Sequence, residues 1–224
     1  MKNISKFYLK NNNTMDFAEL THKWLHNRIL DVFSANDIPK DAKILDIWCG
    51  NWNFLNQLHK KWYLHLYGCD GFIENEKMLN IAQFKKQNLN EKLSYEDKYF
   101  DYVILTEVIE HLENPNDLLK EIHRVLKSGW FLLLSTPNVH TLVSRLLFLF
   151  TGKMFQFTKK DVKFTVFPGH IAPFFPYIFE EVFRHMFKIA RICYSNFIMP
   201  ILWREFPIRN KLFGNTVILV VKKI

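Results

Sequence analysis

The chain has 224 residues and a mass of 26.9 kDa, long enough to bury a core of its own, so one domain is the simplest organisation. Hydrophobic residues make up 49% of it and charged residues 23%, which excludes a disordered or fibrous protein. The net charge of +8 suits an anionic partner, although a lysine-rich surface alone would also account for it. Three scattered cysteines without CxxC spacing argue against a disulfide framework or a zinc ribbon.

The N-terminal stretch MKNISKFYLKNNNT lacks the apolar region of a signal peptide. No segment approaches the about 20 apolar residues of a membrane span. We therefore expect a cytoplasmic protein, with the inner membrane surface as a further place of contact.

Helical and strand patterns alternate from the start of the chain. Apolar residues at helical spacing predict a helix over residues 16–34, and KILDI at 43–47 is typical of a buried strand in a parallel sheet. NFLNQLHKK predicts a helix, and YLHLYGCD predicts a second strand that ends at Asp70. Strand, helix and strand in this order open a βαβ unit.

The same alternation continues downstream. MLNIAQFKKQNLN predicts a broken helix and a short strand near Phe84 to Leu89, and YFDYVILTEV predicts a strand. NPNDLLKEIHRVLK predicts a helix capped by Asn114 or Asn116, followed by a strand in FLLLSTPN. A further helix, an irregular aromatic segment, a helix in PYIFEEVFRHMF and strands in KIARICYS and NTVILVVKKI follow. This order predicts a doubly wound α/β sheet with ligands at the carboxyl ends of its strands.

A turn after the first strand has the residues of a nucleotide-binding site. Asp46 and Gly50 stand at that turn, and Asp70 follows the second strand, 20 residues after Gly50. Such a turn lets backbone N–H groups approach a ligand, and the later carboxylate can accept hydrogen bonds from ribose hydroxyls. By itself this pattern would also suit a nicotinamide-dependent dehydrogenase.

Four successive motifs resemble those of class I S-adenosylmethionine-dependent methyltransferases. They are ILDIWCGNWNF, YGCD, FDYVILTEVIEHLENP and LLKEIHRVLKSGWFLLLSTPN, and together they cover residues 43–138. The resemblance implies a Rossmann-like three-layer α/β/α sheet of about seven strands, mostly parallel with an antiparallel C-terminal strand. It also implies S-adenosylmethionine as cofactor. We expect one methyltransferase domain over 1–224, built from a helical cap (1–40), a cofactor-binding half (41–138), an acceptor-side insertion (139–175) and a C-terminal part (176–224).

The resemblance assigns a cofactor site. Asp46 and the backbone of residues 48–50 would surround the methionine moiety, Asp70 would hold the ribose, and Asn88 would contact the adenine amino group. A turn residue is the competing interpretation of Asn88. The full set of predicted cofactor residues is Asp46, Trp48, Cys49, Gly50, Asp70, Gly71, Asn88, Leu89 and Thr106.

Four tryptophans stand where the family pattern has glycine: Trp48, Trp52, Trp62 and Trp130. Glycine itself occurs only 7 times, about 3% of the chain against a usual level near 7%. Three explanations remain open: a non-catalytic scaffold with a degenerate loop, a remodelled loop, or UGA codons that mean glycine and were translated as tryptophan. We prefer the third, because independent decay would scatter over many residue types.

Candidate catalytic residues lie in TEVIEHLE. Glu107, Glu110 and His111 have the spacing that places side chains on one face of a helical turn, and His170 follows the fifth strand. The arrangement resembles ubiquinone-pathway O-methyltransferases and small-RNA 2′-O-methyltransferases, in which such residues bind a divalent cation. In that interpretation the four residues hold Mg²⁺; without a metal, His111 or His170 serves as general base, with Glu107 as a further catalytic candidate.

The acceptor side is aromatic and basic. SRLLFLFTGKMFQF and FPGHIAPFFPYIF are interspersed with lysines, which suits a lipid-linked acceptor at a membrane surface, although these aromatics would also simply cover the sheet. The segment also resembles methyltransferases of glycan and cell-envelope biosynthesis. We expect methyl transfer to a hydroxyl oxygen of a small-molecule, lipid-linked or glycan acceptor, with nucleic acid the less favoured partner because no RNA-binding module is present.

Overall fold

The computed structural model describes residues 23–50, 52–71, 80–157, 170–199 and 204–224. These residues form a seven-stranded sheet with helices on both faces and a separate two-stranded hairpin. None of the helices within these ranges is long and apolar enough to cross a membrane.

The helices and strands alternate through most of the chain. The helices are α1 (Lys23–Ser34), α2 (Asn53–Lys60), α3 (Pro115–Val125), α4 (Leu142–Thr151) and α5 (Pro176–Phe183), with a 3₁₀ turn at Ile109–His111. The strands of the sheet are β1 (Lys43–Ile47), β2 (His65–Asp70), β3 (Gln83–Lys86), β4 (Phe100–Thr106), β5 (Leu126–Pro137), β6 (Phe187–Tyr194) and β9 (Thr216–Lys223). The hairpin consists of β7 (Phe197–Met199) and β8 (Arg204–Phe206).

The strand order in the sheet is β3-β2-β1-β4-β5-β9-β6. The strands from β1 to β5 pair in parallel, whereas β9 is antiparallel to both of its neighbours, β5 and β6. Because the first five strands are parallel, their carboxyl ends lie along one edge of the sheet, which is where an open α/β sheet binds ligands.

Two apolar layers enclose the sheet. Ile44 and Tyr102 face a cluster that contains the buried residues of α1 and α2, whereas the neighbouring Leu45 and Val103 face a cluster with α3 and α5. This alternation follows from the two-residue repeat of a strand that is covered on both sides. The predicted three-layer, mostly parallel fold with an antiparallel C-terminal strand is confirmed.

Several predicted boundaries differ from the observed ones. The first helix is seen from Lys23 onward, and residues 16–22 lie outside the described part, as do residues 78–79 at the start of the predicted broken helix. β5 begins at Leu126, before the apolar run, because a register shift opposite Phe100 and Tyr102 and the left-handed Gly129 (φ 80°) admit the extra residues. The hairpin was not predicted, since its three-residue strands are too short for an alternating pattern.

Candidate active site

The loop after β1 is held against the end of β2 by backbone hydrogen bonds. The N–H groups of Trp48 and Cys49 donate to the Cys69 carbonyl at 2.7 and 3.2 Å, and the Gly50 N–H donates to Asp70 Oδ2 at 3.1 Å. Gly50 has φ 52°, and a Cβ there would meet nothing within 4 Å. The predicted cofactor turn therefore lies at the carboxyl ends of β1 and β2 with open space beside Gly50.

A glycine within β2 permits this close approach. A Cβ at Gly68 would lie 2.9 Å from Cys49 Sγ and 3.0 Å from Leu55 Cδ1. A larger residue would push the loop and α2 away from the strand. Gly68 was not among the predicted site residues, although a glycine inside an apolar strand is a recognised sign of close backbone approach.

Two carboxylic acids are buried beside the loop. Asp46 is 5% exposed and Asp70 is fully buried. Burial, and then the charge of Asp70, raises the pKa of Asp46 to about 8. Burial also raises the pKa of the Cys49 and Cys69 thiols, so neither is a nucleophile at neutral pH. The buried carboxyls could instead interact with ligand hydroxyls or a cationic ligand.

Asn88 takes part in a local turn after β3. Its Oδ1 accepts from the Asn90 N–H at 3.1 Å, and its Nδ2 donates to Glu91 Oε1 at 2.7 Å. This is how asparagine stabilises a turn, so adenine recognition by Asn88 stays a prediction. Gln87, which was missed, organises the loop: its N–H donates to the Asp70 carbonyl at 2.9 Å.

The other predicted cofactor residues lie along the same edge. Gly71 directly follows β2, and a Cβ there would be 3.4 Å from the Gln87 carbonyl oxygen. Leu89 is buried in the core after β3. Thr106 ends β4 opposite Ser135 of β5. All three are therefore near strand ends, which is the position the resemblance implies.

Glu107 has an unusual backbone at the end of β4. Its φ is 53°, a left-handed value that residues other than glycine rarely adopt and that tends to mark functional positions. The Ser135 hydroxyl donates to Glu107 Oε1 at 2.9 Å, and the Glu107 N–H donates to the Ser135 carbonyl at 3.1 Å. Desolvation raises the pKa of Glu107 to about 7, although the Ser135 hydrogen bond opposes the rise.

Glu110 is fully buried in the 3₁₀ turn. Its Oε2 accepts from the Thr136 hydroxyl at 3.0 Å. Its Oε1 has no hydrogen-bond partner within the described ranges and lies 4.0 Å from His111 Nε2. Burial, followed by the charge of Glu107, raises the pKa of Glu110 well above its ordinary value.

His170 and the two residues after it lie against the 3₁₀ turn at Ile109–His111. The N–H groups of Ile171 and Ala172 both donate to the Glu110 carbonyl, at 2.9 and 3.1 Å. The His111 and His170 rings then meet edge to face with centroids 4.9 Å apart. Glu110, His111 and His170 thus each offer one ligand atom, and these atoms lie within 4.8 Å of one another.

Glu107 does not share this cluster. The sequence spacing predicted one face for Glu107, Glu110 and His111, but the helical turn begins only at Ile109, and Glu107 bonds to Ser135 instead. The structure therefore brings together three of the four predicted metal ligands. Ser135 and Thr136 were missed because their position depends on the register between β4 and β5, which no local pattern reveals.

The tryptophans of the cofactor loop fit the predicted ligand less well than the carboxylates do. Trp52 is fully buried with its ring 5.1 Å from that of Phe84. Trp48 is partly buried, with its ring 6.5 Å from that of His111. Its indole therefore stands between the loop and the candidate catalytic residues, where the resemblance puts the methionine moiety.

The family model described as a methyltransferase domain matches residues 18–177. The chain belongs to this family. Its resemblance to class I S-adenosylmethionine-dependent methyltransferases is thereby confirmed, and the loop, the buried carboxyls and the histidine pair belong to a methyltransferase.

Curated relatives and solved structures agree with this assignment. Demethylmenaquinone methyltransferases are 27% identical in Staphylococcus epidermidis, over 71% of each chain, and 29% identical in Staphylococcus haemolyticus, over 71% of this chain and 72% of the relative. An S-adenosylmethionine-dependent methyltransferase from Thermotoga maritima has a TM-score of 0.64 at 17% identity, covering 92% of both chains. One from Archaeoglobus fulgidus has a TM-score of 0.60 at 19% identity, covering 89% and 93%.

Proposed function

We propose that this methyltransferase transfers a methyl group from S-adenosylmethionine to a hydroxyl oxygen of a lipid-linked acceptor. The observation that carries the proposal is the cluster of Glu110, His111 and His170 beside the loop after β1. It puts groups able to accept a proton next to the place where the resemblance puts the donor methyl group. When bound, the cofactor supplies an electrophilic methyl group, so the protein has to orient the acceptor and remove its proton.

The chain's own residues divide this work. Asp46 and Asp70 are suited to hold the cofactor, because these buried carboxyls lie at the carboxyl ends of β1 and β2. When no metal is bound, His111 or His170 is the candidate general base, since imidazole titrates near neutral pH. The Ile171 and Ala172 bonds to the Glu110 carbonyl keep His170 in reach of the site.

We include a divalent cation in the proposal. Glu110 Oε1 has no hydrogen-bond partner within the described ranges, and together with the imidazoles of His111 and His170 it forms a plausible ligand set. Glu107 is a neighbouring carboxylate. One carboxylate with two imidazoles suits Mn²⁺ or Zn²⁺ at least as well as Mg²⁺, which prefers oxygen ligands. Calorimetric titration with Mg²⁺ and Mn²⁺ should give a saturable heat that Glu110→Gln removes and Glu91→Gln, with its carboxylate after β3, leaves unchanged.

The donor is tested by calorimetry. S-adenosylmethionine should bind, NAD should not, and Trp48→Gly with Trp52→Gly should bind at least tenfold more tightly, because the indole at 48 is then gone from the methionine end. Trp62→Gly, at the other end of α2, is the control and should not change the affinity. Binding of NAD alone would favour a dehydrogenase, and binding of neither ligand, even to the double variant, would favour a non-catalytic scaffold.

Helix α4 supports an acceptor that resides in a membrane. Leu142, Leu146, Leu149 and Phe150 recur at helical spacing and are exposed, the last two at 73% and 79%. Residues 138–157 contain Arg145 and Lys153 and no acidic residue. An apolar helical face in basic surroundings is typical of contact with an anionic bilayer surface. The curated relatives are named for demethylmenaquinone, which makes a reduced quinone, whose ring hydroxyls are the oxygens that the proposal requires, the first acceptor to assay.

Vesicle sedimentation tests this contact. The protein should bind vesicles that contain anionic phosphatidylglycerol more strongly than pure phosphatidylcholine vesicles, and less strongly as salt rises. Replacing Leu149 and Phe150 by Ser should weaken binding at least tenfold, since about 1.5–3 kcal/mol accompanies burial of each such side chain. Leu64→Ser, which changes an exposed leucine outside α4, is the matched control. Equal binding by all three proteins, or none, would contradict the membrane proposal.

A further inference from the structure

Three tryptophans have backbone conformations that suit glycine. Trp48 has φ 63°, Trp52 has φ 65° and Trp62 has φ 65°. A bulky side chain at such angles brings its Cβ too close to the neighbouring backbone, whereas glycine, which has no Cβ, adopts them freely. All three are among the positions where the resemblance to class I methyltransferases implies glycine.

Trp62 occupies a helix-ending position that is usually glycine. The Trp62 N–H donates to the His59 carbonyl at 2.9 Å, and the Tyr63 N–H donates to the Leu58 carbonyl at 3.3 Å. These two bonds form a Schellman motif at the end of α2, and its left-handed residue is most often glycine. The Trp62 side chain is 76% exposed, so packing offers no compensation for the backbone angle.

Trp52 has a second feature, besides its positive φ, that does not suit a tryptophan. It stands at the N-cap of α2 in the left-handed region and makes no side-chain capping bond. Its indole is fully buried, and the Nε1 donor has no hydrogen-bond partner among the residues that the structure describes. Buried donors are nearly always paired, so an indole is a poor choice at this position.

Trp48 adds the functional conflict described above, because its ring stands between the cofactor loop and His111. Trp130 lacks the backbone evidence, since it lies within β5 and is not among the residues with positive φ. The structural argument therefore covers three positions, and the low glycine count of 7 in 224 residues points the same way.

We propose that positions 48, 52 and 62 hold glycine in the protein that its native cell makes, through UGA codons that the cell reads as glycine. Codons and peptide masses report on this without any cofactor, so the inference does not depend on the proposed methyl transfer. The consequence for the site is a loop with glycine at 48, 50 and 52, whose backbone can lie close to a ligand without the two indoles.

The deciding experiment is to sequence the gene at these codons and to measure tryptic peptides of the protein from its native cells. We expect UGA at all three codons and peptide masses that contain glycine. UGG at these codons, or native peptides that contain tryptophan there, overturns the proposal whatever the variants below show.

A thermal test checks the structural part. Trp62→Gly should melt a few degrees above Trp62→Ala, because both remove the same exposed indole and only glycine relieves the left-handed backbone. The matched pair is Leu64→Gly and Leu64→Ala, at an exposed residue without positive φ, where glycine should melt at or below alanine. A Trp62→Ala protein as stable as Trp62→Gly would contradict the inference.

Discussion

Asp46 shows how a single buried residue makes the stability of the cofactor loop depend on pH. The carboxyl lies in β1, one residue from the loop, and its pKa is raised to about 8 by burial and by the charge of Asp70. At neutral pH the folded protein therefore holds a proton on Asp46 that the unfolded chain releases. A bound cation, or donors that stabilise the ionised form, would remove that proton from the folded protein as well.

We expect Asp46→Asn to stabilise the protein more at high pH than at low pH. The folded pKa of about 8 exceeds the ordinary value of 3.8, so the stability that Asp46 contributes is fully present below about pH 4 and is lost as pH rises to about 8. Asparagine has no proton to lose. Urea denaturation at about pH 5 and about pH 8.5 should show the variant's advantage growing by on the order of 4 kcal/mol.

The control for this prediction is Asp117→Asn, at an exposed carboxyl in the first turn of α3. The stability difference between Asp117→Asn and wild type should not grow comparably between the two pH values. If the Asp46→Asn and wild-type curves shift in parallel with pH, the Asp46 carboxyl is not protonated in the folded state.

At the scale of elements, Asn138 fastens the start of the loop between β5 and α4 to the rest of the fold. Its Nδ2 donates to the carbonyls of Lys211 and Gly214 at 3.0 and 2.7 Å, and its Oδ1 accepts from the His140 N–H at 3.0 Å. The residue therefore ties the loop between β5 and α4 to the loop that precedes β9. It determines where α4, with its exposed apolar face, leaves the sheet.

Asn138→Ala should lower the free energy of unfolding by about 1–3 kcal/mol, because the carbonyls of Lys211 and Gly214 in the loop before β9 lose their donor. Urea denaturation measures the loss. Asn114→Ala is the matched control: this asparagine stands at the N-cap of α3 without a side-chain capping bond, and its Nδ2 donates to Asp117 Oδ2 at 2.5 Å on the exposed surface. Because a bond in solvent contributes little, the change should alter stability by less than about 0.5 kcal/mol. Similar effects of the two variants would show that the Asn138 bonds do not fasten the loops.

Elements with a strong local pattern were predictable, and contacts between distant segments were not. β1, β2 and β4 are apolar runs bounded by turn residues, so the sequence located them and, with them, Asp46, Gly50 and Asp70. The approach of His170 to His111 rests on backbone bonds to the Glu110 carbonyl, and the Thr136 bond to Glu110 rests on strand register. Neither contact produces a periodic pattern in the sequence. The three-residue strands of the hairpin are too short to produce such a pattern.

At the scale of the whole molecule, β9 holds the two parts of the sheet together. It is antiparallel to β5 on one side and to β6 on the other, and Ile218 and Val220 face the apolar layer under α1 and α2. The last strand in the chain thus occupies an interior place in the sheet. The burial of β9 therefore stabilises both the parallel half and the C-terminal half of the sheet.

Ile218→Ala should destabilise the protein by about 2–5 kcal/mol, because it leaves a cavity under a fully buried side chain. Ile224→Ala, six residues further along at a side chain that is 66% exposed, should change stability by less than about 0.5 kcal/mol. Both values come from urea denaturation with the slopes compared, since a changed slope would indicate altered compactness instead. Equal losses of stability in Ile218→Ala and Ile224→Ala would show that Ile218 does not lie in the core.

The position of β9 also bears on how the chain folds as it is synthesised. Ribosomes release a chain from its N-terminus, and domains tend to fold as units. β5 and β6 cannot be joined until Thr216–Lys223 has emerged, since β9 separates them in the sheet. Until then β5 presents an unpaired edge rich in leucine, an arrangement prone to association with other chains. Nascent chains arrested before residue 216 should therefore need chaperone protection that the finished protein does not.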